Sequence, residues 1–165
     1  MENIQQSPKS FFRMLSIIHL GLVLGVCLFG LVVTFMIADF QHPDNESELS
    51  RLFVYLIPVL VMAGIIASNV MFKIRLNDLK EISGLNARIK GYSLPVIIRY
   101  MLLEFPALFA LVAVFLTNNM TYLVYAGLMI ILLGIKRPTM KSAIAELELD
   151  QQEIAFLENP DSVID

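Results

Sequence analysis

Residues 14–38 make up 25 consecutive positions in which His19 is the only side chain that charges near neutral pH. About 20 apolar residues suffice to carry an α-helix across a hydrocarbon layer roughly 30 Å thick. Lipid offers no partner to a free N–H or C=O group, so a run of this kind is confined to helix. Three more apolar runs follow at residues 52–72, 94–116 and 120–135, the last being the shortest. With 57% hydrophobic and only 16% charged residues among 165, the chain lies outside the usual range of water-soluble domains. The expected fold is an all-α membrane protein with four transmembrane helices arranged as two antiparallel hairpins. Residues 1–138 form the transmembrane domain, and residues 139–165 a cytoplasmic tail of short amphipathic helices, too short for a second core. Lys9 and Arg13 precede the first run as they would in a signal peptide, but its length exceeds an ordinary apolar signal core, so it is read as a retained anchor.

Basic residues set the orientation. Lys9 and Arg13 precede run one, five Lys or Arg lie between runs two and three, and Lys136, Arg137 and Lys141 follow run four. Arg51 is the only basic residue on the other side, beside Asp39, Asp44, Glu46 and Glu48. The rule that Lys and Arg stay inside predicts a multi-pass protein of the cell inner membrane with both termini cytoplasmic. Residues 117–119 are the whole second outer connection, so runs three and four must make a tight turn. Asn45-Glu46-Ser47 and Asn119-Met120-Thr121 match the glycosylation pattern, although the second abuts the membrane.

The inner loop, residues 73–93, mixes basic residues with Ile74, Leu76, Leu79, Ile82, Leu85 and Ile89. This is the pattern of helix two running on into the cytoplasm and breaking near Ser83-Gly84, with the option of resting on anionic headgroups. In the tail, Thr139 is placed to cap one helix ending near Leu149, and Asp150 with Glu153 forms a capping-box start to another ending near Asn159. The apolar tail residues Ile144, Leu147, Leu149, Ile154, Phe156 and Leu157 need a surface: either the basic inner loop, which complements the acidic tail, or a partner protein.

Glu104 is the outstanding candidate for function. It sits mid-way along run three, roughly 15 Å from either membrane surface. An acid there costs about 2.5–3.5 kcal/mol on insertion scales unless protein or water satisfies it. His19 and Arg99, with Ser68 and Asn69, are the residues expected to share a polar site with it. Pro106 removes the donor to the Leu102 carbonyl within a turn of Glu104, and Pro58 interrupts run two in the same way. Gly21, Gly25 and Gly64 are candidates for close helix packing, with Ser68 completing the spacing in run two and Ala107, Ala110 and Ala113 thinning run three. At 100° per residue His19 lies about 120–160° from Gly21 and Gly25, so helix one is expected to be covered on two sides. Val54-Tyr55 with Gly64-Ile65 and Val124-Tyr125 with Gly134-Ile135 share one spacing, which suggests duplication of a hairpin. Cys27, alone, excludes an intrachain disulfide and reads as a packing residue.

The segment Leu102-Leu103-Glu104-Phe105-Pro106-Ala107-Leu108-Phe109-Ala110-Leu111-Val112 resembles the carboxylate helix of the proteolipid subunit c of rotary ATPases. That resemblance implies a proton or ion carried on Glu104. It stops there: run two holds one glycine where that family's partner helix is glycine-rich, and Arg99 and the acidic tail have no counterpart. The chain as a whole resembles small uncharacterised bacterial four-helix inner-membrane proteins, which implies topology alone. No nucleophile constellation, metal-ligand pair or phosphate loop is present, so no enzyme, cofactor, metal or nucleic-acid partner is expected. The partners expected are the lipid bilayer and either a second copy or a membrane complex, engaged through the small-residue faces or the tail. Two functions follow: association as an oligomer or accessory subunit, or proton or ion handling through Glu104.

Overall fold

A computed structural model describes residues 7–39, 48–159 and 162; the acidic outer loop and Asn45-Glu46-Ser47 fall outside the described residues. Seven helices occur among the described residues, in the order α1 (Pro8–Asp39), α2 (Glu48–Lys80), α3 (Leu85–Gly91), α4 (Ser93–Thr117), α5 (Thr121–Ile135), α6 (Met140–Leu147) and α7 (Gln151–Glu158), without a strand. The local chemistry sets their ends. The Ser7 hydroxyl accepts from the Ser10 N–H at 3.3 Å, and Pro8, which needs no donor at a first helical position, opens α1. α2 runs eight residues past the end of its apolar stretch, through Lys80, before Gly84 takes φ 101° and reverses the chain. Asn118 closes α4 in the left-handed conformation, and Asn119 Oδ1 accepts from the Thr121 N–H at 3.0 Å, so two residues suffice to start α5. Capping boxes at Thr139 and Asp150 start α6 and α7.

Three helical stretches are long and apolar enough to cross a membrane: α1, α2 and the α3–α4 unit. α5 has 15 residues, about 22 Å of helix, and qualifies only together with α6, from which it is bent by 82°. Lys136-Arg137-Pro138 ends its apolar stretch where a further turn would be needed. A fourth full-length span is thus not a property of α5 taken alone.

α4 is the centre of the bundle. It packs on α1, α2 and α5, whereas α1 and α2 make little contact with each other. Of the two antiparallel hairpins expected, α4 and α5 pack directly on each other, whereas α1 and α2 each rest chiefly on α4. The reason lies in how the faces are built. α2 buries Phe53, Ile57, Val61, Gly64, Ser68, Phe72, Leu76 and Leu79, one stripe at spacings of three and four that rests mainly on α4. α4 buries eleven residues from Pro95 to Thr117, more than any other helix among the described residues, on one broad face flanked by half-buried residues. Ala107, Ala110 and Ala113 are almost fully enclosed there. Small side chains on the central helix let three neighbours approach.

α2 and α4 approach closely at Gly64. A Cβ added there would lie 2.6 Å from Pro106 Cγ and 2.8 Å from the Leu102 carbonyl oxygen. The proline-freed carbonyl is therefore covered by the bare backbone of α2. Gly21 and Gly25 contrast with this, since a Cβ at either would meet nothing in the chain.

Candidate functional site

α1 and α4 run parallel, in a register fixed by three contacts. Phe12 lies beside Tyr92 at 6.3 Å between ring centroids, His19 beside Tyr100 at 4.8 Å, and Gly30 against the Leu111 side chain. A helical wheel anchored on these pairs puts Glu104 at the α1 edge of α4, on the side away from α5, with Gly25 turned toward that same edge. Glu104 is half-buried and makes no hydrogen bond or ion pair with a described residue.

The five residues expected to form one polar site are separated. His19 is 5% exposed, lies tilted against the Tyr100 ring a turn short of Glu104, and leaves its Nδ1 buried without a hydrogen-bond partner among the described residues. Arg99 turns to the tail end of the bundle: its guanidinium lies 3.7 Å over the Phe72 ring and its Nη1 3.5 Å from Glu146 Oε1. Ser68 and Asn69 both donate to the Ile65 carbonyl of their own helix, at 2.9 and 3.0 Å. Short polar side chains inside a helix find that acceptor three or four residues back without outside help. Neither Ser68 nor Asn69 joins Arg99, and Glu104 pairs with neither Arg99 nor His19.

A different polar site exists, assembled by the tail. Arg88 Nη1 donates to Glu153 at 2.9 Å, and its Nη2 donates to the Leu147 carbonyl at 2.6 Å, satisfying an end carbonyl of α6. Tyr92 donates its hydroxyl to Glu146, the carboxylate that also faces Arg99. Lys80 and Glu148 pair at 2.6 Å, and the ammonium holds the Glu148 carboxyl below its ordinary value of 4.5. The last carbonyls after α5 are met from the bundle, with Tyr100 Oη donating to Lys136 O at 3.1 Å and Ser16 Oγ to Pro138 O at 3.2 Å. Beneath these contacts Ala143, Leu147, Leu149 and Leu157 are buried. Of the two surfaces open to the tail, it takes the inner loop and the bundle end of its own chain. Among the described tail residues, Phe156 is the one large hydrophobic side chain left exposed. Charge complementarity between loop and tail is visible in the sequence; the partners Arg88, Tyr92, Tyr100 and Glu146 are not, because each depends on where α6 comes to rest.

Two of the cavities at this end are bordered by arginines. One of about 220 Å³ lies among α4, α5 and α6, bordered by Arg99, Lys136, Ser142 and Glu146. The other, of about 480 Å³, lies between α1 and α5 and is bordered by Arg13, His19 and Arg137 over apolar walls. A third hollow, between α2 and α4 beside Gly64 and Pro106, is apolar throughout.

The fold and this site define an all-helical protein with three helices able to cross a membrane, consistent with a multi-pass membrane protein. Comparison with protein-family models, with curated proteins and with solved structures finds no match to the chain.

Proposed function

We propose that the chain is a four-span, non-enzymatic protein of the inner membrane, with both termini cytoplasmic, that works by association with a second copy or with a larger membrane complex. Its spans are α1, α2, α4 and the shorter α5, and the distribution of Lys and Arg supports the orientation. One observation carries the reading. Glu104 lies within a span, at an open edge between α1 and α4, and no described residue of its own chain supplies a partner. An acid in that position needs a hydrogen-bonding group from outside the chain, and a neighbouring helix is the source that lipid lacks. The bare Gly25 backbone beside it, and Gly21 further round, allow another helix to come close without displacing anything in this one.

The test is the oligomeric state in nanodiscs, with copurifying proteins identified. Interhelical hydrogen bonds of this kind are worth about 0.6–2 kcal/mol, so Glu104→Leu should weaken association roughly three- to thirtyfold, and Glu104→Gln should largely preserve it. A parent that is monomeric and partnerless rejects the reading.

A second reading draws on the same unpaired carboxyl, which could take up and release a proton near the midplane. Proteoliposomes separate the two: Glu104→Gln keeps its hydrogen bonds but cannot ionise, so lost pH-driven flux with intact assembly favours proton handling. No flux in the parent rejects it.

A further inference from the structure

We propose that the groove between α1 and α5 is a binding site for one anionic phospholipid, held at the end of the spans where the tail packs. The proposal concerns the opposite side of α1 from the association edge and rests only on α1 and α5 lying in the bilayer.

The groove combines three features. Its rim carries two cations, Arg13 at the start of run one and Arg137 just beyond α5, and neither is paired with a carboxylate among the described residues. Both lie where an apolar stretch ends, which is headgroup level for a chain in a membrane. Its wall is apolar and open along the helix axis: Ile17 and Leu20 stand exposed, and a Cβ built on Gly134 meets nothing. The depth between is occupied by His19, enclosed by protein, bordering the groove and with its Nδ1 left without a partner. An orphaned buried polar atom is costly and calls for a ligand group at that point.

A phospholipid matches all three in order. Its phosphate diester meets the two guanidiniums, which bind phosphate oxygens in a planar fork. Six residues separate Arg13 from His19, about 9 Å of helix, so His19 lies below the phosphate at the level of the glycerol esters, whose carbonyl oxygen accepts from Nδ1–H. The acyl chain then follows Ile17 and Leu20 past Gly134. Inorganic phosphate would use the rim and leave both His19 and the apolar wall unengaged, which is why the lipid is the better occupant.

The experiment is native mass spectrometry of the full chain released from detergent with phosphatidylglycerol or phosphatidylcholine added. The parent should retain phosphatidylglycerol preferentially, and Arg13→Gln or Arg137→Gln should each reduce that preference about fivefold, whereas Lys73→Gln, outside the groove, should not. Gly134→Leu adds a side chain to the groove wall at a position where a Cβ meets nothing within 4 Å, so it should lower retention of both lipids while the thermal midpoint holds. Equal retention of the two lipids, or indifference to both arginines and to Gly134→Leu, overturns the proposal. Displacement of the lipid by millimolar inorganic phosphate overturns it in favour of a bare anion site. Carbonate extraction run in parallel tells the two failures apart, since a chain washed off membranes has lost the membrane reading itself.

Discussion

Gly64 and Gly25 are the same residue type in two spans, and packing gives them opposite parts. At Gly64 an added methyl group would overlap the Pro106 ring and the Leu102 carbonyl. Gly64→Leu should lower stability in detergent by about 1–3 kcal/mol, the usual result of overpacking, whereas Gly25→Leu should leave the monomer's thermal midpoint unchanged. Measuring both midpoints in one detergent checks the contrast, and equal shifts would contradict it. Nothing in the spacing of either glycine distinguishes these outcomes. Ser68 and Asn69 were equally opaque, because a polar side chain in an apolar run looks alike in sequence whether it bonds its own helix or reaches across to another. Glu104 and His19 could be picked out as expensive residues; which neighbour each would meet depended on helix rotation, which hydropathy does not carry.

At the scale of elements, the limits of the helices were legible and their lateral order was not. Apolar length and capping residues mark where α4, α6 and α7 begin and end to within two residues of the expected bounds, because each signal acts through its own local backbone. A lipid-facing surface is as apolar as a buried one, so the pattern does not say which neighbour a span chooses, and that α1 and α2 both rest on α4 could not be read from it. The loop and tail carry their own prediction. Glu148 is held below its ordinary carboxylate value by Lys80, so the pair's contribution is fully present above pH 4.5 and is lost as the pH falls through the lowered value in the folded protein. Spin labels on α2 near Lys80 and on α6 should report a broader distance distribution at pH 3.5 than at pH 7, and Glu148→Gln should remove the part of that change due to this pair. A parent insensitive to pH across that window would show the pair to be idle.

For the molecule as a whole, Arg88 joins the bundle end to the tail by two contacts at once, to Glu153 and to the Leu147 carbonyl. It is 14% exposed and Glu153 21%, so the contact is only lightly screened by solvent, and it also serves the end carbonyl of α6. Arg88→Ala leaves both acceptors unmet and should destabilise tail docking by about 1.5–3 kcal/mol. Hydrogen exchange should then accelerate roughly ten- to a hundredfold in α7 while the protection of α4 stays as it was. Loss of protection in both would mean that tail and spans unfold as one unit.

The central position of α4 also orders events during synthesis. When α1 and α2 have left the ribosome, the surface on which each will rest has not yet been made, and they offer little to one another. Both must wait as separate, lipid-solvated rods until α4 is translated. A stop codon just after α2 would therefore leave two unassembled helices, open to the proteases that patrol membranes, and no half-molecule able to persist.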